Sequence, residues 1–318
     1  MSNQYKYYVN LLKNGFSLFF FNLRNFGIKF AFINLLADMA RFYLFINLNF
    51  SKILFDKQDD MIYNILINKY SDFIEEYISK EIKIGLNSKK IWCFWWQGIS
   101  NSPPIVQKCI NNIEKYSGDY ELIVLTKNNY RNYLDVPKEI VKKVDEGKIS
   151  FTNFSDILRF GLLSNYGGVW IDSTIFVCDY IFNEFDDAIF NSCYRNHGWS
   201  SFFMGGKPNK LFSFVYDLLI KYSQDYDKFL NYFLINYFVD IACNYFKECN
   251  EYVQGTTLLN QNIFYFIENF SKSYDEKEFN ELCDNYKFFK LSYKLTKNYH
   301  LYDEHNNLTY YGYFMQNE

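Results

Sequence analysis

The residues best suited to chemistry lie in one short stretch of the chain. The segment S-D-I-L-R at residues 155–159 places Asp156 and Arg159 three positions apart, and therefore on one face of a predicted helix. A Gly-Gly turn follows, and then an apolar strand that contains a single carboxylate, Asp172. A carboxylate is costly to bury unless something binds it, and strand ends in an open α/β sheet are where such groups meet ligands. We therefore predict a ligand site around Asp172.

These side chains suit a sugar or a phosphate. An arginine fork matches hydroxyl or phosphate oxygens, and a carboxylate can accept hydrogen bonds from neighbouring sugar hydroxyls. Two other interpretations stay open. Asp156 and Arg159 could form a surface ion pair of little value for stability, and Asp172 could cap a nearby turn. Thr174 is ambiguous, because a β-branched hydroxyl is ordinary in a strand.

The segment S-D-I-L-R, followed by Y-G-G-V-W-I-D-S-T at residues 166–174, resembles the sugar-nucleotide site of the DXD-type glycosyltransferases. It is similar in particular to bacterial capsular polysaccharide synthesis proteins of glycosyltransferase family 32, and more distantly to the large glucosylating toxins. I-W-C-F-W-W-Q-G at residues 91–98 and K-L-S-Y-K at residues 290–294 extend the resemblance over roughly residues 90–315. The resemblance implies a GT-A fold and a nucleotide-sugar donor.

The resemblance also implies roles for single residues. Asp156 and Arg159 would hold the donor sugar, and Asp172, at the first D-X-D position, would reach ribose and sugar. The second position is Thr174, so a divalent cation (Mn²⁺ or Mg²⁺) is expected to bind weakly or only with the donor. A metal-free site of Arg, Lys and backbone amides is the alternative. The predicted residues are catalytic Asp156, Arg159 and Asp172; donor-binding Trp95, Trp96, Asp156, Arg159, Tyr166, Gly168 and Asp172; and metal-binding Asp172 and Thr174.

Two tryptophans end the predicted first strand. Trp95 and Trp96 should lie on opposite faces, because side chains alternate along a strand, so at least one should reach the carboxyl edge of the sheet. There a ring can stack on a nucleobase, and the resemblance implies a uracil near this strand. Core packing is the alternative for both, and it is the predicted environment of Trp92 and Phe94, which share one face.

Composition limits the function classes. The net charge of −3 and pI near 5.8 argue against a nucleic-acid-binding protein, which would carry a basic face. The seven cysteines form no C-x-x-C pair and the chain has only three histidines, so neither a structural zinc site nor a disulfide framework is favoured. We predict reduced thiols and a cytoplasmic protein.

The first 88 residues are predicted to form a helical region. The segment from Phe16 to Phe45 is apolar but interrupted by charges such as Arg24 and Lys29, so it does not read as a transmembrane helix. Two amphipathic helices broken near Gly27 are predicted instead. They would either pack as a layer on the rest of the chain or contact a membrane surface, and the two interpretations are compatible.

The remainder, residues 89–318, is predicted to be one GT-A-like domain. A strand, a helix and a strand between Ile91 and Thr126 form a βαβ unit, which implies a parallel sheet. Thr152 or Asn153 is predicted to cap the next helix, with Asp156 in its first turn. A strand is predicted over residues 169–177, further strands near 188–194 and 200–204, and helices over 209–222, 226–247 and 257–270. The predicted class is α/β, a Rossmann-like nucleotide-sugar-binding sheet with an N-terminal helical region and a mainly helical C-terminal part.

We therefore interpret the chain as a cytoplasmic hexosyltransferase, either free of the membrane or peripheral on its inner face. It would move a hexose from a UDP-sugar, favoured over a GDP-sugar, to a saccharide acceptor, lipid-linked or not, in capsular or surface polysaccharide synthesis. The resemblance implies retention of configuration. A non-catalytic scaffold of a capsule-assembly complex and a nucleotidyltransferase are the alternatives, although no basic Gly-rich phosphate loop is visible. Lys290, Lys294 and Lys297 are predicted as a solvated stretch, with diphosphate contact as the alternative. The loop 196–199 is interpreted either as a simple hairpin connection or as a loop that faces the pocket and supplies an acceptor contact or a second metal ligand.

Overall fold

The computed structural model describes residues 3–42, 48–82, 85–185, 190–191, 200–255, 260, 262–295 and 298–316. Its α-helices are α1 (Asn3–Phe26), α2 (Ile28–Phe42), α3 (Leu48–Ile78), α4 (Pro104–Lys115), α5 (Lys138–Asp145), α6 (Phe151–Tyr166), α7 (Lys210–Asp225), α8 (Leu234–Tyr245), α9 (Lys247–Gln254), α10 (Tyr265–Glu268), α11 (Glu276–Tyr286) and α12 (Tyr310–Met315). Its strands are β1 (Lys90–Phe94), β2 (Glu121–Leu125), β3 (Gly168–Ile171), β4 (Ile175–Val177), β5 (Phe190–Asn191), β6 (Phe203–Gly206) and β7 (Phe288–Lys290).

A five-stranded sheet of order β2-β1-β3-β6-β5 forms the centre of the fold. Strand β1 runs parallel to β2 and β3, whereas β6 runs antiparallel to β3 and β5. The predicted βαβ unit is confirmed as β1-α4-β2. A second, two-stranded sheet pairs β4 with β7 in antiparallel fashion. The fold is therefore mixed α/β, with a parallel core of three strands and many helices.

The strand predicted over residues 169–177 is not continuous. Strand β3 ends at Ile171, and a turn follows in which the Ile175 N–H donates to the Asp172 carbonyl over 2.9 Å. The chain then enters β4, which belongs to the other sheet. The prediction of one strand was wrong because the polar residues 172–174, which it kept inside the strand, form a turn between two sheets. The break leaves Asp172 directly after the carboxyl end of β3.

Helix α6 carries the predicted acid and base into the interior. Ser150, rather than Thr152 or Asn153, caps it, since the Ser150 hydroxyl accepts from the Asn153 N–H at 3.1 Å. Asp156 therefore lies beyond the first turn, and that part of the prediction was wrong. Every residue from Phe154 to Leu163 is buried, so α6 is enclosed on all sides and its two charged side chains, Asp156 and Arg159, lie in the interior.

Two glycines join α6 to β3. Gly167 and Gly168 have φ values of +66° and +87°, which side chains rarely adopt. A Cβ on Gly168 would come within 2.4 Å of the Lys90 carbonyl oxygen. Glycine at 168 is therefore what lets β3 lie this close to β1.

The two faces of the central sheet bury separate apolar clusters. Trp92 and Phe94 lie in one cluster, as predicted, and Ile91 and Cys93 lie in the other. The first cluster also takes in Ile62, Leu66, Tyr70, Ile74 and Tyr77 of α3. Helix α3 thus packs on the remainder of the chain. Phe30 of α2 belongs to the same cluster, and Phe21 and Phe26 of α1 pack against it, which supports the packed-layer interpretation of the first two helices. The boundary near residue 88 stays a prediction.

Other differences concern the C-terminal half. The helix predicted from Tyr226 begins only at Leu234, and within the helix predicted over 257–270 the described part is α10. Cys178, after β4, is bonded to Cys283 of α11 with a Cα–Cα distance of 5.4 Å, so the expectation that all thiols are reduced was wrong.

Within the described ranges, no helix combines the length and apolar character that crossing a membrane requires.

Candidate functional site

The carboxylate of Asp172 is held from three sides at the end of β3. Its Oδ1 accepts from Arg159 Nη2 at 3.1 Å and from Trp170 Nε1 at 3.0 Å, and its Oδ2 accepts from Lys290 Nζ at 2.7 Å. Its backbone N–H donates to the Phe202 carbonyl at 2.8 Å, which fixes the turn against the sheet. The side chain remains 29% exposed. Asp172 is therefore anchored, yet open to a ligand on one side.

Arg159 bridges the two acids that the sequence singled out. Its Nη1 donates to Asp156 Oδ1 at 2.5 Å while Nη2 reaches Asp172, and its guanidinium lies 4.9 Å from the centre of the Trp170 ring. Arg159 is only 3% exposed and Asp156 only 6%. The pair is thus buried, and the interpretation as a surface ion pair was wrong.

Lys290 completes the cluster from a distant part of the chain. It ends β7, which the β4–β7 pairing brings beside the turn that contains Asp172, and its ammonium lies 5.1 Å from the Phe202 ring centre. The prediction of a solvated lysine was wrong here, because the side chain is 18% exposed and ion-paired. A signal was present in the sequence: Lys290 follows two buried phenylalanines, so it is a single charge at the end of an apolar strand.

Two acids and two cations therefore face one another, and we call Asp156, Arg159, Asp172 and Lys290 the ionic cluster. Burial alone would raise the pKa of the Asp172 carboxyl, but Lys290 and then Arg159 outweigh it and hold the pKa below its usual value. Burial raises the pKa of the Asp156 carboxyl to about 6, with Arg159 opposing the rise and Asp172 adding to it. At neutral pH the cluster is close to electrically balanced.

Two buried donors near the cluster lack a partner in the described structure. Arg159 Nε and Trp95 Nε1 make no hydrogen bond, although both atoms are buried. Unpaired buried donors are rare, and both of these can still donate a hydrogen bond. The Trp95 ring meets Tyr293 edge-on at 5.1 Å.

The two tryptophans lie on opposite faces of the sheet, as predicted. Trp95 packs with the second cluster, whereas Trp96 is buried in the first, stacked on Phe151 at 5.2 Å. Core packing therefore describes Trp96. Trp95 keeps the free indole donor, so it is the better candidate for a base contact.

The structure does not bring Tyr166 and Gly168 to the cluster. Both lie where α6 passes into β3, at the amino end of the strand whose carboxyl end precedes Asp172. The Tyr166 ring packs on Trp92 at 5.6 Å, and the Gly168 N–H donates to Asn87 Oδ1 at 2.6 Å. These contacts give both residues a structural role, and their donor contacts stay predictions.

Tyr232 lies on the loop before α8 and is 69% exposed, and it was not singled out from the sequence. Desolvation, followed by the charges of Asp156 and Asp172, raises the pKa of its phenol.

The described residues do not form a ready metal site. Both oxygens of Asp172 already accept hydrogen bonds, and Lys290 lies against the oxygen that a cation would need. Thr174 is 8% exposed and its backbone carbonyl accepts from the Leu291 N–H at 2.8 Å. Nowhere in the described ranges do three His, Cys, Asp or Glu side chains gather as metal ligands. The loop 196–199, which contains Asn196 and His197, and Lys297 lie outside the described residues.

A family model described as "Capsular polysaccharide synthesis protein" matches residues 42–313, which is most of the chain and contains the whole ionic cluster. The chain belongs to the capsular polysaccharide synthesis protein family. Helix α1 and nearly all of α2 precede the matched region of this family member.

Two further proteins are similar to this member of the family. The O-glycosyltransferase braB of Annulohypoxylon truncatum is 29% identical over 114 residues, which is 33% of this chain and 26% of that protein. The alignment therefore spans about a quarter of that relative. The solved structure of the PaToxG glycosyltransferase superposes with a TM-score of 0.39 and 14% identity, over 62% of this chain and 83% of that one.

Proposed function

We propose that this capsular polysaccharide synthesis protein is a retaining hexosyltransferase of the GT-A type and of glycosyltransferase family 32. It moves a hexose from a nucleotide diphosphate sugar, UDP-linked in preference to GDP-linked, to a saccharide acceptor. The observation that carries the proposal is the ionic cluster: two acids and two cations meet at the carboxyl ends of the parallel strands, where ligands bind in such sheets.

The cluster supplies the contacts that such a donor needs. Asp156 and Arg159 hold hydroxyls of the donor sugar, and Asp172, in the DXD-like turn, reaches ribose and sugar. Lys290 and the unpaired Nε of Arg159 offer positive charge to the diphosphate, whose negative charge grows as it departs. Trp95 meets the base.

Catalysis in this proposal rests on position and charge. A fixed guanidinium and ammonium stabilise the leaving diphosphate without reorganising, and the acceptor hydroxyl is placed on the same side of the sugar as the leaving group. Displacement at that front face retains the configuration and needs no enzyme nucleophile.

In this proposal a divalent cation binds the protein only when the donor is bound. Because Lys290 already neutralises Asp172, the protein alone would hold Mn²⁺ or Mg²⁺ poorly, and a cation would arrive with the diphosphate. Magnesium sites commonly use one or two carboxylates plus substrate phosphate, which fits Asp172 as a single acidic ligand.

The test is a thermal-shift screen of UDP- and GDP-sugars with the intact chain, with and without Mn²⁺, followed by donor hydrolysis. We expect a UDP-sugar to raise the melting temperature and to be slowly hydrolysed. Asp172→Asn should lower turnover at least about a hundredfold while the fold persists, because transition-state electrostatics of this kind contribute that much. Binding without turnover would favour the non-catalytic scaffold, and no binding by any sugar nucleotide would end the proposal.

We also propose that the first two helices lie on the cytoplasmic face of a membrane and bring a lipid-linked acceptor within reach. Exposed apolar side chains follow one another along α1 and α2, and they are Phe16, Phe20, Ile28, Phe32, Leu36 and Met39. Arg24 and Lys29, also exposed, add attraction for anionic lipid. Flotation of the intact chain with liposomes of anionic lipid is expected at low salt. A Phe20→Ser/Phe32→Ser variant that floats equally well would contradict this contact.

A further inference from the structure

A disulfide joins the end of β4 to helix α11. Cys178 directly follows the last residue of β4, and Cys283 lies three residues before the end of α11. The two cysteines are 105 positions apart in the sequence. A cross-link over so long a loop strongly restricts how far the two segments can separate. The bond therefore holds together two parts of the chain that meet only in the folded protein.

The disulfide lies next to the strand pair that places Lys290. Cys178 follows Val177, which lies opposite Phe288 at one end of the β4–β7 pair. At the other end Ile175 lies opposite Lys290, two residues further along. A strand rises about 3.3 Å per residue, so about 7 Å of the pair separates the disulfide-bonded end from the lysine. The covalent tie and the ammonium thus belong to one short structural unit.

The other contacts at the disulfide-bonded end are modest. The Cys178 N–H donates to the Lys287 carbonyl at 2.7 Å, and the Lys287 ammonium lies 3.3 Å from the Asp179 carboxylate. These two charged side chains are 37% and 48% exposed, so their ion pair adds little to stability. Phe288 and Phe289 are buried and keep β7 in the core. Breaking the disulfide is therefore expected to let β7 shift, not to detach it.

A small shift of β7 is enough to change the ionic cluster. Lys290 Nζ lies 2.7 Å from Asp172 Oδ2. Beyond about 3.5 Å such a contact is no longer a hydrogen bond, so a displacement of about 1 Å breaks it. The same displacement moves the ammonium away from the place where the proposed function puts the donor diphosphate. The geometry of the disulfide-bonded end and the charge at the donor site are linked through β7.

We propose that the Cys178–Cys283 disulfide positions Lys290 against Asp172, and that reduction of this bond by thiols lowers the affinity for the donor diphosphate. The inference rests on the proposed transferase function and adds control of the same site by thiols. Disulfides in reducing compartments are usually transient and often redox-sensing, which fits a bond that acts on a substrate site.

Reduction begins at the more accessible sulfur. Cys178 is partly exposed, whereas Cys283 is only 9% exposed, so an external thiolate attacks Sγ of Cys178. The S–S bond breaks, and Cys283 leaves as a thiolate that takes up a proton. A second external thiol attacks the mixed disulfide and releases Cys178 as a thiol. The pair gains two electrons and two protons, and the two external thiols are oxidised to a disulfide.

The test is calorimetry of UDP binding to the intact chain, oxidised and after reduction with dithiothreitol. Peptide mass spectrometry checks the bond in each state, and thermal melts confirm folding. Reduction should raise the dissociation constant about fivefold, a part of what a hydrogen bond to a charged group contributes. Cys178→Ser/Cys283→Ser should bind UDP as the reduced protein does, with or without dithiothreitol. Cys193→Ser and Cys243→Ser keep the pair and are the matched controls, which should respond to dithiothreitol as the wild type does.

The variant Lys290→Gln shows whether the disulfide acts through the lysine. Once the ammonium is absent, reduction should change UDP affinity less than about twofold, because the two changes act on one interaction. An equal fivefold loss in Lys290→Gln would mean that reduction loosens the fold in general, and it would reject the positioning role.

The inference is overturned if UDP binds the oxidised and reduced proteins equally well, or if the pair stays reduced after treatment with diamide. Hydrogen exchange separates these failures from failure of the proposed function. If neither state binds any sugar nucleotide, the transferase is rejected, and amide exchange of residues 288–291 then decides on the positioning of β7. Faster exchange there after reduction, with α5 unchanged, supports the positioning, and equal exchange in both states rejects it.

Discussion

Removing the ammonium of Lys290 tests the charge balance of the site. In Lys290→Gln the cluster keeps two acids and one guanidinium, so it becomes net negative where the diphosphate should bind. At 2.7 Å and an effective dielectric constant of about 20, the gross attraction between Lys290 and Asp172 is about 6 kcal/mol. Most of this is offset by desolvation and by water, since the two side chains are 18% and 29% exposed.

The measurable effect on the donor is therefore smaller than the gross attraction. A hydrogen bond to a charged group contributes about 1.5–3 kcal/mol, so UDP affinity should fall about 10- to 100-fold. The pKa of Asp172 should rise at the same time, because burial raises it and only the charge of Arg159 then remains to lower it. A carboxyl whose pKa is lowered in the folded state stabilises the fold at pH values above its unfolded pKa, and this stability is lost as the pH falls through the folded pKa. Removing Lys290 takes away part of this contribution, so the variant should also be less stable at neutral pH.

Isothermal calorimetry of UDP binding to the intact chain provides the measurement, with thermal melts to confirm folding. Lys294→Gln removes an exposed lysine four residues away and is the matched control, while Lys290→Arg keeps the charge and should restore part of the affinity. The reasoning is refuted if Lys290→Gln binds UDP within about twofold of the wild type, or if Lys294→Gln loses as much.

Three further predictions follow from the same cluster. Arg159→Lys keeps the charge but cannot bridge Asp156 and Asp172 with a planar fork, so calorimetry should show weaker donor binding; a change in melting temperature alone would favour a purely structural ion pair. Because the folded pKa of Asp156 is raised to about 6, its protonated form contributes stability below pH 4 that is lost as the pH rises through about 6. The melting temperature of Asp156→Asn relative to the wild type should therefore rise between pH 4 and pH 7, and a flat difference would contradict the burial argument. Finally, Mn²⁺ titration should show little binding without UDP and clear binding with it, whereas micromolar affinity of the free protein would point to ligands beyond Asp172 and Thr174.

The sequence allowed the centre of the site to be predicted. Helical spacing placed Asp156 and Arg159 on one face, and the resemblance to DXD-type glycosyltransferases joined them to Asp172 in one site; the three side chains do meet. The order of strands and helices around them followed from apolar runs and turn residues. Short-range periodicity therefore predicted the elements and the acids they carry.

Long-range pairing could not be predicted in this way. Lys290 reaches Asp172 across 118 residues, and it does so because β4 leaves the central sheet to pair with β7. The polar residues 172–174 coincide with the break between β3 and β4, but the sequence pattern does not show that the chain leaves one sheet for another there. The donor from Trp170 was missed for a related reason, since an indole in a buried strand resembles core packing until its neighbour is known.

The late position of Lys290 has a consequence for how the protein is made. A chain that ends before β7, whether still on the ribosome or cut short, contains Asp156, Arg159 and Asp172 but not the ammonium that balances them. Such a fragment would carry excess negative charge around Asp156 and Asp172. The ionic cluster is therefore complete only after β7, close to the end of the sequence, has been synthesised and has paired with β4.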